Sequence, residues 1–169
     1  MTGQGAVISP CGRYRYFLLR KNLNVAPTHQ LVYAFFGVNP STADARLDDA
    51  TVRKWIGFVR TWGGSSFMVG NVFAWRATNV KDLAKAADPV GPGNADAIAA
   101  IIQNADALVP CWGDRGKVPK ALHAQIDATM ALLVASGKPV LHLGTTASGD
   151  PMHPLMLPYT TPLTLWPNL

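Results

Sequence analysis

The chain has 169 residues, 49% hydrophobic and 15% charged, a composition that fits one domain over residues 1–169 and excludes a disordered, coiled-coil or low-complexity scaffold. Fifteen Lys plus Arg against ten acids give a formal charge of +5, a bias towards anionic partners that is not concentrated in a polybasic arm. No run approaches the roughly 20 apolar residues of a membrane span, and the start, MTGQGAVISPCGRYR, has no apolar segment behind a basic one, so a cytoplasmic protein without membrane contact is expected.

Residues 13–20, RYRYFLLR, mix aromatic and aliphatic side chains ahead of the turn-like stretch 22–28, which predicts an N-terminal edge strand. Residues 31–38, LVYAFFGV, form an almost unbroken apolar run stopped by Asn39-Pro40, the pattern of a parallel strand covered on both faces. Val52, Trp55, Ile56 and Val59 then repeat at helical spacing, so an amphipathic crossover helix is expected to end before Gly63-Gly64. A second buried strand follows over 67–74, FMVGNVFA, interrupted by Gly70 and Asn71 and left through Trp75-Arg76. The turn cluster 89–94, PVGPGN, leads into a helix over about 95–104, and 106–112, DALVPCW, reads as a third strand. A helix over about 118–136 carries Leu122, Ile126, Met130 and Leu133 on one side and closes at Gly137, before a fourth strand over 140–144. Strand and helix thus alternate. Right-handed crossovers convert that order into a three-layer α/β/α sandwich on a central four-stranded, mostly parallel sheet, plus the N-terminal edge strand.

Ligands of open parallel sheets bind beyond the carboxyl ends of the strands. The exits here are Gly37 to Ser41, Asn71 with Trp75-Arg76, Cys111 to Gly113, and the path from Gly144 to Leu157. Their polar side chains are mostly amides and one histidine. Arg76 could meet a phosphate, while Arg13, Arg15, Arg20 and Lys21 form either a basic edge that tracks a nucleic-acid strand or a solvated one. All ten acids are Asp, so each is also a candidate cap or turn residue. Asp44, Asp48 and Asp49 cluster between the first parallel strand and its helix. One of them could act as a base or hold ligand, and Asp48 or Asp49 could instead cap the helix. A lone Asp cluster is a poor metal cage, and Cys11 and Cys111, far apart and without a CxxC, support neither a zinc site nor a disulfide. No metal and no other cofactor is expected, and a monomer is favoured.

The runs NPSTAD, DDAT, NVFAWRAT, PVGPGN, WG and HPL resemble, over almost the whole chain, the domain of unknown function 1643 family of bacteria and phages. More remotely, the order of these motifs is similar to the uracil-DNA glycosylase superfamily. That resemblance implies an α/β/α fold in which GVNP, residues 37–40, positions the hydrolytic water through Asn39, as in the mismatch-specific branch. It implies further that Asn71 reads a base edge, that His153 of HPLML meets charge developing on a base oxygen, and that Leu157 wedges into the duplex. Ser41 stands where the uracil enzymes carry an aromatic residue that screens out thymine, and HPSP has become HPLM, so uracil specificity does not transfer.

Cleaving an N-glycosidic bond pushes negative charge onto the departing base, so a hydrogen-bond donor there speeds the reaction. His153 is the candidate donor, Asn39 the water-orienting residue and Asp49 the candidate base; Asn71, Ser41, Arg76, Asp44, Asp48 and Leu157 are the candidate substrate-binding residues. The expected activity is glycosylase-like hydrolysis in DNA or nucleotides. Alternatives are a non-catalytic binder of modified bases or nucleotides, because Asn39 cannot deprotonate water, and a metal-dependent phosphohydrolase.

Overall fold

The run predicted as a central strand is β3 (Val32–Gly37), which pairs in parallel with β4 (Ser66–Asn71) on one side and β5 (Ala107–Pro110) on the other. The computed structural model describes residues 4–24 and 26–167; residues 1–3 and 168–169, and Val25 within the predicted turn, lie outside the described residues. Side chains of β3 alternate between two apolar clusters, as a two-residue period requires. Tyr33 and Phe35 pack with Val52, Trp55 and Val59 of α1 (Ala50–Thr61), whereas Ala34 and Phe36 pack with Ile98 and Ile101 of α2 (Asn94–Asn104) and Ile126 and Leu133 of α3 (His123–Ala135). Helices therefore cover both sheet faces. Phe35, Phe36, Phe58, Phe67 and Phe73 are fully buried, each stabilising the fold by about 2–3 kcal/mol relative to exposure. Gly70 lets α2 come close, because a Cβ there would stand 3.1 Å from Ile101 and 3.3 Å from Phe36.

The sheet is mixed and five-stranded, and here it departs from the sequence pattern. β2 (Arg15–Arg20) is interior rather than an edge: it pairs antiparallel with β4 and with β1 (Gln4–Ile8), giving the order β1-β2-β4-β3-β5. β1 covers the hydrogen-bonding edge that β2 would otherwise expose. At the far edge, residues 140–144 do not form a full fourth strand in this sheet. Val140 makes a single parallel bridge to Leu108, with Leu108 N–H donating to Pro139 O at 2.9 Å, and the chain then turns away as β6 (Leu141–His142) to pair with β7 (Thr164–Leu165). The next donor on that side of β5 would be residue 110, a proline with no N–H, so the ladder ends there. Proline also delays the third helix. Val118 precedes Pro119 and is held extended, so 3₁₀ turns at Arg115–Lys117 and Lys120–Leu122 come before α3.

Beyond the broken ladder, the chain to His153 is fastened by a buried carboxylate. Asp150, 1% exposed, accepts from Arg115 Nε at 2.8 Å and from the Arg115 backbone at 3.0 Å, and Arg115 also pairs with Asp127 of α3 at 2.8 Å. Gly113 N–H donates to Pro151 O at 2.9 Å and seats the segment against the exit of β5. Among the described residues, no helix is long and apolar enough to cross a membrane.

Candidate functional site

The parallel strand order reverses at β3, whose neighbours β4 and β5 lie to either side. A polar cavity of about 60 Å³ opens at that end of the sheet, lined by Asn39, Ser41, Asp49, Thr51, Asn71, His153 and Arg15 over a floor of Gly37, Val38 and Trp55. It adjoins a cleft of about 460 Å³ that shares Val38 and His153 and is walled by Trp112, Lys117, Met152, Leu155 and Met156. Trp55 is anchored by stacking on Phe35, centroids 5.2 Å apart. A further cavity of about 650 Å³ lies between the β1-β2 hairpin and α2, but its walls are mostly apolar, including Val7, Phe17, Leu19 and Ile101. It lacks the convergent polar groups of the strand-end site, which is the better candidate despite its smaller volume.

Local structure fixes how each polar group faces this cavity. Asn39 Nδ2 donates to Ala77 O at 2.7 Å and Pro40 O at 3.1 Å; both partners are carbonyls, so the amide nitrogen is spent on the loop and Oδ1 remains as an acceptor. Asn71, 3% exposed, closes β4 and accepts on Oδ1 from Arg15 NH2 at 3.3 Å. Its backbone carbonyl is held by Asn94 Nδ2 at 3.0 Å, which ties the start of α2 to the site. Asp49 is the N-cap of α1, its Oδ1 accepting from Val52 N–H at 2.9 Å, and so serves as cap and cavity wall together. His153 begins the 3₁₀ turn Pro154–Met156 and accepts on Nδ1 from Leu155 N–H at 3.2 Å. An accepting Nδ1 leaves the proton of the neutral ring on Nε2. Burial and, after it, Lys117 hold His153 below the ordinary imidazole value, against an opposing pull from Asp49. The site therefore holds a neutral imidazole at neutral pH.

The other candidates from the sequence do not line either cavity. Asp44 accepts from the backbone of Arg46 at 2.7 Å and Leu47 at 2.9 Å, and these bonds lower its pKa. Asp48 pairs with the fully buried Arg20 at 2.6 Å. The three neighbouring acids thus have three separate partners. Arg76 donates to Ser41 O at 3.4 Å and Gly12 O at 3.2 Å, behind the wall of the cavity. Leu157 is half-buried, and Met156, 89% exposed, is the apolar tip of that turn. Cys111 is inert, its thiol pushed up to about 12 by burial.

Arg15 is the group that sequence reasoning misses. It lies in a basic run that reads as an edge tracking a nucleic-acid strand or as a solvated one, yet it is 3% exposed and lines the cavity. Burial, opposed by nearby Asp49, lowers its guanidinium to about 10, so it stays charged at neutral pH. Among the described residues, no group of three or more His, Cys, Asp or Glu side chains could hold a metal.

The fold and site define a mixed α/β domain with a small polar cavity at the carboxyl ends of its parallel strands. The chain belongs to the family described as "Protein of unknown function (DUF1643)", which matches residues 15–155. That stretch holds every residue named for the small polar cavity, from Arg15 to His153, and leaves out β1 and β7. Comparisons with curated proteins and with solved structures found no match to the chain.

Proposed function

We propose that the chain is a nucleobase-recognising protein, a glycosylase-like hydrolase of N-glycosidic bonds in DNA or nucleotides, built as a three-layer α/β/α sandwich of the uracil-DNA glycosylase type. The observation that carries the reading is the convergence of Asn39, Asp49, Asn71 and His153, from four separate stretches of chain, on one cavity at the strand-order reversal. Helices on both sheet faces and the parallel bridge at Val140 favour the layered architecture.

In this reading a flipped-out base enters from the larger cleft with its pairing edge towards Asn71. A water accepted by Asn39 Oδ1 attacks the anomeric carbon, the N-glycosidic bond breaks, and its electron pair leaves on the base. His153 Nε2–H donates to the base oxygen where that charge collects, while the carboxylate of Asp49 takes the proton of the attacking water. One preorganised donor of this kind contributes roughly 3 kcal/mol. Met156, in place of Leu157, is the apolar tip that would enter a duplex.

A second reading, a binder that does not cut, is favoured by one observation: Asn39 cannot deprotonate water and one oxygen of Asp49 is engaged as a helix cap. Mass-spectrometric base release from duplex and single-stranded oligonucleotides carrying uracil, mismatches and modified pyrimidines separates the two. Release by the wild type, reduced roughly 100- to 1,000-fold in His153→Ala, supports the hydrolase. Salt-sensitive binding without release supports the binder, and neither binding nor release, with the oligonucleotides or with the corresponding nucleotides, removes both.

A further inference from the structure

The amide of Asn71 has its hydrogen-bonding sense set from outside the cavity. A guanidinium only donates, so the amide atom 3.3 Å from Arg15 NH2 is the oxygen, and Nδ2 lies on the opposite side. There it stands over Gly37, 2.9 Å from where a Cβ would sit, and it donates to no group among the described residues. Gly37 keeps that position clear. Arg15 is itself held by Ala43 O at 3.0 Å, has no partner for Nε among the described residues, and makes no ion pair within 4 Å there. Burying a guanidinium without a bonded carboxylate is costly, and the contact it makes at the cavity is the one that turns Asn71.

We propose that Arg15 is a positioning residue that makes Asn71 a hydrogen-bond donor to the ligand, so that the site selects a base whose ring nitrogen accepts, the cytosine type, over one carrying a ring N–H, the uracil and thymine type. The inference rests on the reading that Asn71 meets the pairing edge of a base. Cytosine offers adjacent acceptors, N3 and O2, to two donors in the site, Asn71 Nδ2 and His153 Nε2. Uracil keeps the O2 acceptor for His153 but would bring N3–H against Asn71 Nδ2–H and leave those two facing N–H groups unpaired in a buried place, which lowers affinity far more than a lost exposed contact does.

The test is equilibrium binding of deoxycytidine, deoxyuridine and the deoxyriboside of pyrimidin-2-one, which keeps the N3 acceptor and has no group at position 4. Wild type is expected to bind deoxycytidine and the pyrimidinone at least about ten-fold more tightly than deoxyuridine. Arg15→Met frees the amide to turn over, and the ratio should fall below about three-fold, whereas Arg15→Lys, still a donor, should retain it. Asn71→Asp, an acceptor that can pair with Arg15, should invert the preference; this variant carries the test if circular dichroism shows Arg15→Met unfolded. Deoxyuridine binding as tightly as deoxycytidine to wild type, an unchanged ratio in folded Arg15→Met, or no inversion in Asn71→Asp would each overturn the inference while leaving base recognition standing. If folded wild type binds none of the three, neither free nor placed in an oligonucleotide, base recognition itself fails and the inference falls with it.

Discussion

Asp49 is asked to do two things, and substitutions can separate them. Its Oδ1 satisfies Val52 N–H at 2.9 Å, and no other acidic side chain lies in the first turn of α1 to assist. Asp49→Ala leaves that donor unpaired, which costs about 1 kcal/mol at a typical cap. For a domain of this size that lowers the melting temperature by roughly 2–4 °C. α1 itself survives, because Val52, Trp55, Phe58 and Val59 remain buried. Asp49→Ser restores the cap without the carboxylate, and should return most of the lost stability while leaving base release as impaired as in Asp49→Ala. Urea denaturation followed by circular dichroism measures the first effect and the oligonucleotide assay the second. Equal stability of the Ala and Ser variants would refute the capping argument, and full activity in Asp49→Ser would remove the carboxylate from the chemistry.

The depressed pKa of His153 means that the unfolded chain binds this proton more readily than the folded one, so stability should fall as pH drops below about 6.5 and level off beneath the folded value. His153→Gln should flatten that part of the stability–pH curve; an unchanged slope would assign it elsewhere. Ellman's reagent should find one reactive thiol in the native protein, Cys11, which is exposed and has its pKa lowered chiefly by the Ser9 hydroxyl, and a second only after denaturation, Cys111. Two fast thiols would contradict the packing at the exit of β5. Asp48→Asn leaves Arg20, fully buried, with neutral acceptors only, the amide oxygen at 48 and the carbonyls of Leu19, Asp44 and Leu47, and should destabilise the protein by about 2–3 kcal/mol in urea, short of a fully enclosed pair because Asp48 is partly exposed.

The elements that bury both faces were the legible ones. LVYAFFGV has the pattern of a covered strand, and the stripe from Val52 to Val59 marked α1 and the face it buries. β1 was not legible, because QGAVI is short, lies among turn residues and forms only by pairing with β2. The fourth strand misled because VLHLG has strand composition, while the proline that ends its ladder sits on another strand, at position 110. At the site, Asn39, Asn71 and His153 could be read from strand exits. Arg15 could not, since its burial depends on how β2 docks against β4 and on where the loop around Ala43 falls.

Pro110 has a further consequence. Within a ladder, adding one residue sends every following side chain to the opposite face. Past Val140 the chain leaves that ladder, pairs briefly with β7, and from Gly144 to Met152 folds back on itself through an antiparallel bridge between Thr145 and Pro151, with Met152 N–H donating to Gly144 O at 2.9 Å and Thr146 N–H to Asp150 O at 2.8 Å. This turn is pinned to the rest of the fold at two points, Asp150 to Arg115 and Pro151 to Gly113. Only the tip of that turn is free to vary: an extra residue near Ser148 and Gly149, where the backbone is exposed, lies beyond the paired Thr146 and Asp150 and leaves His153 facing the same way. The proline makes the segment bearing the imidazole interchangeable, while the strands that hold the two asparagines stay fixed.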